Sequence, residues 1–207
     1  MKNFILIILT LTFTSQVSAQ NGKDLNIRHM LRGSIYAYTS IVDSNALGGY
    51  GGSSNFAKSI NDLNSFTQTG FFMVLDTSET ITWAEKYNGY HLYIVNKSDS
   101  IVTLNASDSR LYIVAEVFYK NEWKPIEYLT SSWCGNSYHH VLLKSNEYWQ
   151  FNIPKFTGKI KTKIRYRLTT QQDGYIYSNE IEASFNKKQL TNKNEYTPKG
   201  LMDPYND

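Results

Sequence analysis

From residue 71 onward the chain is built of short runs in which apolar and polar residues alternate, and the runs are divided by turn-forming residues. A period of two puts successive side chains on opposite faces of a strand. The pattern therefore predicts strands over 71–75, 90–95, 101–104, 111–119, 123–129, 139–144, 148–153, 159–168 and 175–185. Asn96-Lys97-Ser98-Asp99-Ser100 and Asn105-Ala106-Ser107-Asp108-Ser109 read as loops, because Asn, Asp and Ser side chains satisfy turn backbone locally. Pro125 lacks a ladder donor and marks its run as an edge strand or a bulge. No stretch reads as a βαβ unit. The expected fold class is all-β, an antiparallel β-sandwich.

The last predicted hairpin is the most informative. Lys159, Lys161, Lys163, Arg165 and Arg167 alternate with Ile160, Thr162, Ile164, Tyr166 and Leu168, so one face is cationic and the other mostly apolar. A two-residue turn at Asp173-Gly174, a favoured pair for such turns, would set Arg167 opposite Glu180 and Arg165 opposite Glu182. The same register would pair Tyr166 with Ile181 and Ile164 with Ala183 on the other face.

The segment before residue 71 differs. Residues 47–54 are Leu-Gly-Gly-Tyr-Gly-Gly-Ser-Ser, a flexible loop by composition. Behind a Ser54 cap, Phe56, Ile60, Leu63 and Thr67 recur at helical spacing and predict a short helix over 55–66; an additional strand is expected over 35–42. Met1-Lys2-Asn3, the apolar run 4–13 and the exit Val17-Ser18-Ala19 have the form of a secretory signal peptide with Gln20 as the mature start. No cysteine follows the apolar run closely, which argues against a lipid anchor, and no later segment has the ~20 apolar residues of a membrane-spanning helix. The expected organisation is a signal peptide over 1–19, an N-terminal extension with glycine-rich loop and short helix over 20–70, the sandwich over 71–186, and a flexible polar tail over 187–207.

Composition narrows the chemistry. Of 21 basic residues only Lys2 falls in the signal, so against 18 acidic residues the remainder carries about +2, too little to argue for nucleic acid. Cys134 is the single cysteine and leaves no intrachain disulfide. The 16 Tyr, 10 Phe and 4 Trp suit half-buried strands.

Several sets of residues carry candidate chemistry. The basic strip Lys159, Lys161, Lys163 could bind an anionic glycan, lipopolysaccharide or an acidic protein, or be a solvated outer face whose lysines deter edge pairing. Trp123, after the Lys120-Asn121-Glu122 turn, is a candidate aromatic contact for a glycan; Trp149, alternating with Phe151 and Ile153, belongs to the core. Cys134, His139, His140 and His91 offer the thiolate and imidazoles of a copper site. That spacing resembles the cupredoxin pattern, but no Met follows His139 closely and adjacent His139 and His140 point to opposite faces. With Ser145-Asn146 as a turn, His140 would share a face with Leu142, Trp149, Phe151 and Ile153, and His139 the polar side with Gln150 and Asn152. The contrasting reading makes Cys134 a buried, unreactive thiol beside Trp133. Catalytic readings are weaker: a Cys-His pair lacks an orienting partner, the glycine run lacks the Gly-Lys-Ser/Thr ending of a phosphate loop, and Glu180 and Glu182 are taken up by arginines.

The stretch Trp123-Lys124-Pro125-Ile126-Glu127-Tyr128, then Ser132-Trp133-Cys134-Gly135-Asn136-Ser137-Tyr138-His139, and later Tyr148-Trp149 and Lys161-Thr162-Lys163-Ile164-Arg165, resembles uncharacterised exported proteins of Gram-negative bacteria. The likeness spans roughly 90–185. It implies an immunoglobulin-like sandwich and no particular activity. The resulting expectation is an exported, periplasmic or extracellular, non-enzymatic protein that binds an envelope or external protein or glycan without a cofactor, with a copper protein as the alternative.

Overall fold

The computed structural model describes residues 22–39, 41–62, 66–132, 134–171 and 174–191. The signal segment, Leu63, Trp133, Gln172, Asp173 and the tail beyond 191 lie outside the described residues.

In chain order the strands are β1 (Leu31–Arg32), β2 (Lys58–Ser59), β3 (Gly70–Trp83), β4 (Tyr87–Lys97), β5 (Val102–Ser107), β6 (Arg110–Leu111), β7 (Ile113–Tyr119), β8 (Glu122–Pro125), β9 (Glu127–Tyr128), β10 (Tyr138–Leu143), β11 (Glu147–Pro154), β12 (Ile160–Thr169), β13 (Tyr175–Tyr177) and β14 (Ile181–Phe185). Each run expected from the alternation contains a strand. One sheet has the order β2-β11-β4-β3, a second β13-β12-β7-β8 with β14 also on β12, and a third β10-β5-β6. These pairings are antiparallel; β1 and β9 form a short parallel pair. The fold is an all-β sandwich. Tight hairpins use left-handed residues: Ala84 and Glu85, with φ of 49° and 57°, lie in the three-residue connection of β3 to β4, and Lys120 and Asn121 join β7 to β8 with φ of 55° and 64°.

One apolar core lies between the sheets. Leu92 and Ile94 of β4 and Trp149, Phe151 and Ile153 of β11 face Ile113, Ala115 and Val117 of β7 and Ile164, Tyr166 and Leu168 of β12 within a single cluster. Leu25, Ile35 and Ala37 from the N-terminal segment are buried in that cluster too. The indole N–H of Trp149 donates to the Tyr38 carbonyl (3.1 Å), so this fully buried ring carries no orphan donor. The opposite face of β4 and β11 holds Tyr93, Val95 and Tyr148 under Ile60 and Phe66.

Local expectations fare unevenly. Pro125 ends β8, the outermost strand of its sheet, as a missing donor requires. The helix over 55–66 is corrected: among the described residues Lys58–Ser59 pairs with β11 and a 3-10 turn, Ile60–Asp62, follows, because Ile60 and Phe66 cap a sheet face. In place of a strand over 35–42 there is, among the described residues, a single bridge, Tyr36 with Arg110. Order also extends four residues into the expected tail, where Lys187–Leu190 form a 3-10 turn with Gln189 buried. The glycine-rich loop has no regular structure but is pinned, with the Gly51 N–H on Asp108 (2.8 Å) and the Ser109 hydroxyl on the Gly51 carbonyl (2.8 Å).

The hairpin register is also corrected. Thr169 faces Tyr175 and Arg167 faces Tyr177, while Lys163 faces Glu182 and Ile164 faces Ile181. The connection is wider than two residues: the last pair is Thr169 with Tyr175, and the Thr170 N–H donates to the Gly174 carbonyl (2.9 Å). Between β13 and β14 the Ser178 hydroxyl accepts the Tyr166 N–H (2.9 Å) in place of a ladder carbonyl, and the register slips by one. Arg165 and Arg167 therefore do not face Glu182 and Glu180.

Candidate functional site

On the outward face of the β13-β12-β7-β8 sheet, alternation turns Val114, Glu116 and Phe118 of β7 and Lys163, Arg165 and Arg167 of β12 to the same side, with Val114 and Glu116 buried there. Arg165 stands directly opposite Glu116, and Tyr177 of β13 opposite Arg167. Across the β7-β8 hairpin Phe118 faces Trp123, their ring centroids 5.4 Å apart.

These residues form one continuous ladder. Glu116 Oε2 accepts from Arg165 Nε (3.1 Å) and Nη2 (3.0 Å), and its Oε1 from Arg167 Nε (2.5 Å). The Glu116 side chain is only 6% exposed, so the carboxylate is a buried counter-charge shared by two guanidinium groups. Arg165 in turn stacks on Trp123 (4.1 Å to the ring centroid) and Tyr177 (3.8 Å), and Arg167 on Tyr175 (4.6 Å). Planar guanidinium suits this double duty of edge hydrogen bonds and face stacking, which an ammonium cannot match. The stacking fixes two long side chains while Phe118, Tyr175 and Tyr177 stay 42%, 50% and 41% exposed.

Of the residues singled out from sequence, Trp123 joins this ladder, half-buried beneath Arg165. Lys163 is exposed and pairs with Glu180 (3.1 Å). Lys161 lies at the rim of a cavity of about 380 Å³ between the sheets, walled by Leu75, Ile153, Phe156, Ile164 and Ile181. Tyr166 also lines it; its hydroxyl is buried without a partner among the described residues, and burial raises its pKa well above the ordinary phenol value. Lys159 is at the opposite end of β12 from Arg167, beside Arg28, Lys187 and Lys188.

The four proposed copper ligands sit in separate surroundings. His91, on β4, receives a hydrogen bond from the Gln150 amide (3.0 Å). His139 is fully buried: its Nδ1 donates to the Ser137 carbonyl (3.1 Å), and its ring stacks on Tyr50 at 3.6 Å and 9°. Burial lowers its pKa, favouring neutral imidazole. His140 faces outward, with Nδ1 3.1 Å from Asp43 Oδ2. Burial would raise the Asp43 carboxyl, but N–H donors of His140 and Asn45 and the nearby imidazole hold it below its ordinary value. Cys134 is exposed rather than a buried thiol. Among the described residues no group of three or more His, Cys, Asp or Glu is placed to hold a metal ion.

The two histidines thus occupy the faces opposite to those expected. Ser145 and Asn146 do not close a hairpin within a sheet. β10 pairs with β5, β11 with β4, and the chain changes sheets between them, so the alternation of one strand says nothing of the other's facing.

Glu116, Tyr175 and Tyr177 were not anticipated as site residues. Glu116 had a legible signal: a lone carboxylate at the centre of the otherwise apolar run 113–117 needs a cation across the ladder. The tyrosines carried none, because their position depends on the register in which β13 meets β12. No protein-family model, no curated protein and no solved structure matches the chain.

Proposed function

We propose that the chain is an exported, non-enzymatic binding protein of the cell envelope or exterior, and that it meets a protein partner on the outward face of the β13-β12-β7-β8 sheet. The observation that carries this reading is the ladder itself: exposed Phe118, Tyr175 and Tyr177 beside two arginines already immobilised by Glu116. Tyr, Trp and Arg dominate the energetic centres of protein interfaces, and side chains held in place before contact lose little entropy on binding. A glycan fits this face less well. Sugars need free ring faces, and guanidinium groups occupy those of Trp123, Tyr175 and Tyr177. Export is supported by the basic, apolar and small-residue succession over 1–19.

The test uses residues 20–207 as bait in envelope extracts, alongside the double variant Phe118→Ala/Tyr177→Ala and Thr80→Ala, an exposed change on β3. Recovery of a partner by the first and third, reduced at least tenfold with the double variant, is the expected result. Equal recovery by all three, or a hydrolytic turnover that a point change abolishes, would overturn the reading.

A further inference from the structure

Around the start of β12 three separate segments each bring cations to one depression of about 250 Å³: Arg28 from the N-terminal arm, Lys159 before β12, and Lys187 and Lys188 from the final 3-10 turn. Asn186 joins all three. Its side chain is 7% exposed relative to solvent as a residue, and its amide nitrogen donates to Asn26 Oδ1 (2.7 Å) and the Ile27 carbonyl (2.8 Å), immediately before Arg28. Its amide oxygen accepts the Lys159 N–H (3.3 Å), and its own backbone N–H donates to Gln189 Oε1 (2.8 Å), closing the turn that carries Lys187 and Lys188. The depression thus has a built floor, held by one buried amide.

Gly158 lets the chain come this close. A Cβ there would collide with the backbone of Phe185 and Asn186, so Lys159 is brought against the floor only because residue 158 has no side chain.

Some cations nearby are paired, although among the described residues Lys161 of β12 is not. Lys155, Lys163, Arg165 and Arg167 each have a carboxylate within 4 Å. Among the described residues none of Arg28, Lys159, Lys187 and Lys188 forms an ion pair, and no carboxylate lines the depression. Four uncompensated like charges on a concave surface repel one another and concentrate a positive field. A doubly charged oxyanion removes the repulsion, taking a fork of hydrogen bonds from arginine and point contacts from lysines. At about 30 Å³ per water molecule, the volume holds a tetrahedral oxyanion with room for the group that carries it.

We propose that this depression is a binding site for a phosphate-class oxyanion, free or borne by a sugar. The site is separate from the aromatic ladder, and neither reading depends on the other.

Thermal unfolding of the protein over a series of inorganic phosphate concentrations, with ionic strength held constant by chloride, tests the proposal, because a ligand bound only to the native state raises Tm saturably. The same titration is run on Lys159→Gln/Lys187→Gln, whose changes are exposed and leave the Asn186 network in place, and each is checked by amide NMR shifts at Asn186 and Gln189. The expected result is a saturable rise with an affinity at least tenfold weaker in the variant. Repeating it with glucosamine 6-phosphate separates the sources: tighter binding assigns a sugar-borne phosphate, equal binding the free ion. A rise of equal size in protein and variant, which general salt stabilisation produces, or no saturation with unmoved Asn186 and Gln189 signals, overturns the proposal. Phe118→Ala/Tyr177→Ala leaves this titration unchanged, so failure here is distinct from failure of the protein-binding reading.

Discussion

Glu116 on β7 and Glu127 on β9, the short strand that pairs with β1, are both 5% exposed, yet they solve burial in opposite ways. Glu116 looks to the outer face, where two guanidinium groups and their aromatic supports surround it. Glu127 sits beyond the point where Pro125 interrupts the ladder; its Oε2 accepts the Ala115 N–H (3.0 Å), and no cation pairs with it among the described residues. Burial pushes its pKa up to about 7, against the partial help of that hydrogen bond. The contrast is one of surroundings: Glu116 is buried with two cations against it, whereas Glu127, buried with one backbone N–H donor, moves toward the neutral acid.

The largest break of this comparison is Glu116→Ala. It leaves Arg165 and Arg167, stacked and only 16% and 18% exposed, without their counter-charge, and removing one member of such a cluster costs about 4 kcal/mol. Urea unfolding at neutral pH measures it. A loss below about 1 kcal/mol would mean that solvent already screens the cluster and that the ladder is not the rigid surface described.

Glu127→Gln acts in the other direction, through pH. The native state keeps a proton on Glu127 until about pH 7, whereas the unfolded chain releases it near the ordinary value of 4.5. Native protein therefore binds more protons in that window, and stability falls as pH rises through it, levelling above about 7. The span corresponds to about 3 kcal/mol. Unfolding midpoints between pH 4.5 and 8 should decline in the parent and be flatter in Glu127→Gln, whose amide oxygen can still accept the Ala115 N–H. Parallel profiles would show that Glu127 is ionised throughout.

The same contrast explains what could be read from the chain. Strand positions were legible because period-two alternation is local: each of Ile164, Tyr166 and Leu168 faces the core as its pattern requires. Pro125 was legible because a missing N–H has one meaning in a ladder. Partners were not. Arg165 and Arg167 read as mates of Glu182 and Glu180 across a two-residue turn, and both went instead to Glu116 on the strand at their other side. Every strand within a sheet has two neighbours, and sequence proximity nominates only one. His139 and His140 failed for a related reason, since facing was carried through Ser145 and Asn146 across a change of sheet. The helical spacing of Phe56 and Ile60 lost to the sheet face that Ile60 caps.

The smallest effect sharpens the comparison from its exposed end. Lys163 pairs with Glu180 at 3.1 Å, but the two side chains are 54% and 42% exposed and neither stacks on a ring. Water solvates both partners, and holding two long side chains in one geometry offsets most of the attraction. A double-mutant cycle with Lys163→Ala and Glu180→Ala should give a coupling of about 0.5 kcal/mol or less, shrinking further at high salt. Arg165, two residues along the same strand and the same face, differs in its planar guanidinium and in its surroundings: a buried carboxylate and two aromatic faces. If the Lys163 coupling instead approached the cost of Glu116→Ala, the outward face would be electrostatically uniform along β12, and the arginines would owe their rigidity to the strand rather than to Glu116, Trp123 and Tyr177.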